Sequence, residues 1–145
     1  MNLFLVYADG RLATPALGDS ILEGVTRRSL IELSKGLGYK PEERLVSLDE
    51  WRDGVASGEI TEAFACGTAA VITPLGQLKS PDFTLDLGDE PGEVPMPLRR
   101  TLLALQYGRS EDAQGWLKRL ACSRSDERPV GKGCRSRLSP CHYNT

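Results

Sequence analysis

A chain of 145 residues is of single-domain size, long enough to bury a core. Its 40% apolar and 26% charged residues are those of a water-soluble globular protein, and a net charge of -2 argues against nucleic acid or a membrane surface as partner. No apolar run reaches the length of a membrane span, and Met1 to Tyr7 lacks a basic leader and soon meets Asp9 and Arg11, so it does not read as a signal peptide and a cytoplasmic location is expected.

Asn2 to Tyr7 has the β-branched and aromatic make-up of a strand. Asp9-Gly10 then predicts a tight hairpin into Arg11 to Thr14, which Pro15 ends because proline brings no N–H to a ladder. A strand this early in the chain is expected to need a second neighbour that the sequence does not obviously supply. Leu17 to Glu23 reads as a loop. Gly24-Val25-Thr26 leads into a helix whose Leu30, Leu33 and Leu37 recur at helical spacing until Gly38 closes it. Thr26 falls where a cap or first-turn residue belongs.

Glu43 to Val46 predicts another strand. Ser47 and Glu50, three apart, fit a capping box for a helix that would bury Leu48, Trp51 and Val55 and stop at Gly58. Glu62 to Pro74 holds two short apolar runs around Gly67-Thr68, a strand, turn and strand built from small residues. Gly67 tolerates dihedrals that other residues avoid, Thr68 brings a hydroxyl beside an N–H, and Ala69 and Ala70 leave their N–H groups uncovered. Such a turn suits an anion pocket; it is also the make-up of an ordinary core hairpin.

Gly76-Gln77 and Phe83 to Leu87 predict short strands around the Lys79-Ser80-Pro81-Asp82 turn. Asp89 to Pro95 is a loop, and Pro97 suits the first turn of a last helix with Leu98, Leu102 and Leu105 on one face and Gly108 beyond it. The alternation of strand and helix gives an α/β or mixed α+β class. From about Ala121 the composition turns to Ser, Arg, Pro, Gly and Cys, so residues 121–145 are expected to be a disordered tail beyond a domain at 1–120. Three of the four cysteines, Cys122, Cys134 and Cys141, lie there, and Cys66 stands alone. No pair has metal-site spacing and His142 is the one imidazole, so no metal is expected.

These residues carry a resemblance. Asn2-Leu3-Phe4, Thr14-Pro15, Leu22-Glu23-Gly24-Val25-Thr26-Arg27, Glu62 to Pro74, Leu105-Gln106-Tyr107-Gly108-Arg109 and Gly115-Trp116 resemble, in order and spacing, the branched-chain amino-acid aminotransferases, class IV pyridoxal-phosphate enzymes. The likeness covers Met1 to about Leu120. It implies an incomplete, C-terminal large-domain portion of the D-amino-acid aminotransferase-like fold. It further implies amino-group transfer between leucine, isoleucine or valine and 2-oxoglutarate in branched-chain amino-acid biosynthesis, pyridoxal 5'-phosphate as cofactor, branched-chain amino acids and 2-oxo acids as ligands, and a homodimer.

By the same resemblance, Val25 and Thr26 hold the cofactor phosphate through N–H groups and a hydroxyl, and Thr68 reaches that phosphate. The N–H groups of Thr68 and Ala69 receive the substrate carboxylate. Both roles suit uncovered N–H donors facing anions. Ala70 and Thr73 replace the paired cysteines of mammalian members, so redox regulation is not expected. D-amino-acid aminotransferase and aminodeoxychorismate lyase carry other residues at Gly67-Thr68-Ala69-Ala70.

Transamination also needs a lysine for the Schiff base and an acid for the pyridine nitrogen. In the resembling family both precede the Asn-Leu-Phe strand, and so would fall before Met1. Lys35, Lys40, Lys79, Lys118 and Lys132 all sit in polar neighbourhoods and read as solvated charges. The expectation is an enzyme portion that is inactive alone. The alternative is a non-catalytic, partner-dependent binding module with an anion pocket.

Overall fold

The computed structural model describes residues 1–88 and 92–118. A five-stranded sheet runs in the order β3-β2-β1-β4-β5, built from β1 (Asn2–Tyr7), β2 (Arg11–Pro15), β3 (Lys40–Arg44), β4 (Ile60–Gly67) and β5 (Val71–Pro74). A hairpin of β6 (Gln77–Lys79) and β7 (Thr84–Asp86) forms a second sheet, and three helices complete the order: α1 (Val25–Gly36), α2 (Leu48–Ser57) and α3 (Pro95–Gln106). The mixed class expected from the sequence holds. None of the helices described is long and apolar enough to cross a membrane.

Alternation along β1 explains the layers. Phe4 and Val6 join Leu30, Leu33, Phe64, Leu98 and Leu102 under α1 and α3, while Leu5 and Tyr7 join Trp51, Ile60, Ala63 and Leu85 beneath α2 and the β6-β7 hairpin. One strand therefore feeds two cores, because successive side chains point to opposite faces. Phe4 and Phe64 are cross-strand partners whose rings stack with centroids 5.0 Å apart. The missing neighbour anticipated for β1 is present: it pairs antiparallel with both β2 and β4 and lies at the centre of the sheet.

The third strand begins three residues earlier than expected. Lys40–Arg44 pairs parallel with Arg11–Pro15, and as a polar edge strand it offers no apolar alternation to read; Leu45, which looked like part of the strand, is exposed. Leu37 also differs, because the chain leaves the helix at Gly36 and Gly38 reverses it at φ +87, so Leu37 faces outward and Ile31 fills the core instead.

In α2, the Glu50 N–H donates to Ser47 Oγ at 3.0 Å as the capping box predicts. The reciprocal half is absent, since the Glu50 carboxylate accepts from Tyr7 Oη at 2.8 Å and from Arg44 Nη1 at 2.9 Å. Trp51 is buried, but Leu48 is half exposed. The last helix starts at Pro95, which places Pro97 in its first turn as expected, and the Glu62 carboxylate accepts the N–H groups of Glu93 at 3.0 Å and Val94 at 3.2 Å just before it. A side chain 31 positions upstream thus anchors the turn that leads into this helix. The tail expected at 121–145, with Cys122, Cys134, Cys141, His142 and Lys132, lies outside the described residues.

Candidate functional site

The ends of β2 and β4, the beginning of β1 and the start of α1 converge at one end of the sheet. Thr14 Oγ1 donates to Leu3 O at 2.7 Å, joining β2 to β1. Asn2 Nδ2 donates to Leu22 O at 3.0 Å, fixing the loop before α1. Gly24 leaves room for that contact: a Cβ there would stand 2.5 Å from Asn2 Oδ1, so a side chain would have to displace the Asn2 amide that holds the loop.

Arg27 ties the first turn of α1 to the sheet. Its buried guanidinium donates through Nη2 to Pro15 O at 2.9 Å and to Glu43 Oε2 at 2.7 Å. Its Nε has no hydrogen-bond partner among the described residues. Buried ions are costly unless paired, so this arginine holds the β2-α1-β3 unit in register.

Gly24 is the N-cap of α1 and supplies no side-chain acceptor, and the first turn contains no acidic residue. The first intrahelical bond runs from Arg28 N–H to Gly24 O at 3.0 Å. The N–H groups of Val25, Thr26 and Arg27 precede it and carry the positive end of the helix dipole. Thr26 is thus a first-turn residue, the second of the two places its sequence position allowed.

Opposite stands the β4-β5 turn, Thr68-Ala69-Ala70. Gly67 is not among the glycines with positive φ, and a Cβ there would come within 3.2 Å of the exposed Met1 side chain at Cγ. The left-handed residue is Val71 at φ +58, the one non-glycine residue with positive φ among those described. A β-branched residue in that region is strained, although three-residue hairpin connections commonly bring a left-handed residue with them. Val71 is held there by packing against the core under α1 and α3.

Between helix start and turn lies a cleft of about 210 Å³, lined by Val25, Thr26, Gly67, Thr68, Val71 and Gln106. The three residues expected to hold a phosphate, Val25, Thr26 and Thr68, therefore share one hollow. Ala69 is exposed beside it and does not line it. Val71 and Gln106 do line it; for Gln106 the sequence offered only its place in the Leu105-Gln106-Tyr107-Gly108 motif.

A larger cavity of about 490 Å³ adjoins the cleft between α1 and α3, with Leu102, Leu105 and Trp116 in its walls. It carries both Arg28 and Glu32 and reaches neither Thr26 nor the β4-β5 turn, so the residues expected to meet an anion gather in the smaller cleft. No lysine lines either cavity. Lys35 pairs instead with Glu32 at 2.8 Å. Cys66, behind the turn, is buried, and burial pushes its thiol up to about 11, which keeps it protonated and unreactive at neutral pH. No cluster of metal-ligating side chains occurs among the described residues.

Neutral donors at a helix start and an open turn, without a lining cation or carboxylate, fit the phosphate end of a cofactor or a carboxylate. They offer nothing for covalent attachment.

Residues 1–78 match the amino-transferase class IV family. The chain is 48% identical over 124 residues to the branched-chain-amino-acid aminotransferase of Mycolicibacterium smegmatis, covering 83% of this chain and 34% of that protein. It is likewise 48% identical over 122 residues to a probable branched-chain-amino-acid aminotransferase of Streptomyces coelicolor, with 83% and 33% covered. Among solved structures it resembles the branched-chain amino acid aminotransferase of Escherichia coli, with TM-score 0.65, 35% identity, and 81% of this chain and 36% of that one covered. The pyridoxal-phosphate form of the Thermobaculum terrenum enzyme gives TM-score 0.58, 34% identity, and 75% and 33% coverage. The chain spans about a third of the length of the curated relatives it matches.

Proposed function

The chain belongs to the class IV aminotransferase family, and from that premise we propose that it is the phosphate- and carboxylate-receiving portion of a branched-chain amino-acid aminotransferase. The observation that carries the proposal is the shared hollow between Val25-Thr26 and Thr68. In this reading the N–H groups of Val25 and Thr26 and the hydroxyls of Thr26 and Thr68 hold the phosphate of pyridoxal 5'-phosphate. The N–H groups of Thr68 and Ala69 receive the carboxylate of leucine, isoleucine or valine, or of the matching 2-oxo acid. When bound, the cofactor supplies the electron sink on which amino-group transfer depends. The protein's share here is orientation: fixed dipoles at the α1 start within the cleft and at the β4-β5 turn beside it set where each anion lies and need no reorganisation when it arrives. Homodimerisation and a cytoplasmic location belong to the same proposal.

The proposal is tested with pyridoxamine 5'-phosphate, which lacks the aldehyde that would label surface lysines. Calorimetric titration of the 145-residue chain should show binding, no binding of unphosphorylated pyridoxamine, and roughly tenfold weaker affinity in Thr26→Val and Thr68→Val, the loss expected for a hydrogen bond to a charged group. Equal affinity for the two ligands would overturn it. Borohydride treatment of the chain with pyridoxal phosphate should leave no single, stoichiometrically modified lysine.

A further inference from the structure

Gln106 is the last residue of α3 and the one side chain from that helix that lines the cleft. It also lines the larger cavity alongside, so it stands on the ridge between the two. Its carboxamide has no hydrogen-bond partner among the described residues, although two amide hydrogens and an oxygen are available to make one. A helix C-terminus ordinarily repels an anion through its free carbonyls. Here three of them are occupied: Leu103 O accepts from Tyr107 N–H at 2.9 Å, Ala104 O from Arg109 N–H at 2.7 Å and Leu105 O from Gly108 N–H at 2.9 Å. The Gln106 side chain adds a neutral amide donor beside them.

We infer that Gln106 is an anion-binding residue: its amide N–H donates to a bound phosphate group, making α3 the third element of a cradle whose other walls are the α1 start and the β4-β5 turn. This rests on the phosphate reading of the same cleft and adds to it a donor outside both N–H sets. All donors in the cradle are then uncharged. Recognition comes from directed hydrogen bonds, and affinity should depend only weakly on salt. Being exposed, Gln106 can be changed without disturbing the core.

The test is a fluorescence titration of the full chain with pyridoxamine 5'-phosphate, with pyridoxamine as control, in the parent and in Gln106→Leu, Gln106→Glu and Gln106→Arg. Circular dichroism and the unfolding midpoint should match the parent in all three. Loss of one donor to a charged acceptor should weaken binding about tenfold in Gln106→Leu. Gln106→Glu should weaken it further by adding a like charge, and Gln106→Arg should restore or tighten it. A purely structural role would not sort the three variants in that order. Unchanged affinity in Gln106→Leu, with Thr26→Val still impaired, would overturn the role of Gln106 while leaving the cleft as the phosphate site. Absence of binding by the parent chain at about millimolar ligand would overturn both.

Discussion

Replacing Gly54 by alanine sets two effects of opposite sign against each other. Gly54 lies within α2, where alanine would ordinarily favour the helix by about 1 kcal/mol. Here an added Cβ would stand 2.5 Å from Ile60 Cδ1 and 2.8 Å from Ile60 Cγ1. Both are far inside van der Waals contact, and Ile60 is itself 2% exposed in the core beneath α2. Relief requires an off-rotamer isoleucine or a displaced helix, which costs about 1–3 kcal/mol. The net expectation is a loss of about 1 kcal/mol in urea unfolding. Ile60→Ala, which removes both Cδ1 and Cγ1, should cost about 3 kcal/mol alone. The double variant should be no less stable than Ile60→Ala, giving a coupling energy of about 1 kcal/mol. A Gly54→Ala chain stabilised by the full helix-propensity gain would refute the packing of α2 against β4.

Three further outcomes follow from the same contacts. Glu62→Ala should remove the acceptor of two N–H groups at the start of α3, costing about 1 kcal/mol, and hydrogen exchange at Glu93 and Val94 should accelerate while that of Phe4 does not change. The Arg44 guanidinium holds the Glu50 carboxyl down at about 2. A depressed carboxylate contributes stability above its unfolded value of about 4.3 and loses it as pH falls toward the folded one. The pair is about a third exposed, so the loss between roughly pH 5 and pH 2 should be about 1 kcal/mol, and Glu50→Gln should flatten that part of the acid-unfolding curve. Val71→Gly exchanges relief of a left-handed dihedral, about 1–2 kcal/mol, for lost contact of a half-buried valine of similar size. Its unfolding free energy should therefore lie within about 1 kcal/mol of the parent, and a loss of 3 kcal/mol or more would contradict the strain at that turn.

The elements carried by local patterns were legible. Helical spacing found α1 and α3, Asp9-Gly10 found the β1-β2 hairpin, Ser47 found the start of α2, and small residues around Gly67-Thr68 found the open turn. What escaped reading depends on distant partners. Lys40–Arg44 becomes a strand by pairing with β2, not by its own hydrophobicity. The turn before α3 is anchored by Glu62 from across the fold, and Leu37 leaves the core because the chain reverses one residue later. The site followed the same division. Val25, Thr26, Thr68 and Ala69 came from motifs, and the first three meet in one cleft. Val71 and Gln106 enter it through a backbone dihedral and a helix end, neither of which leaves a periodic trace in sequence.

The central claim is that two sets of donors distant in sequence, the N–H groups of Val25 and Thr26 at the α1 start and the Thr68 hydroxyl at the β4-β5 turn, serve one bound phosphate. An amide-resolved NMR titration of the chain with pyridoxamine 5'-phosphate reads both sets at once. The account predicts that the amides of Val25, Thr26 and Thr68 shift together along one binding isotherm, while those of α2 on the opposite face of the sheet stay still. Shifts confined to one set, or two isotherms with different midpoints, would contradict it.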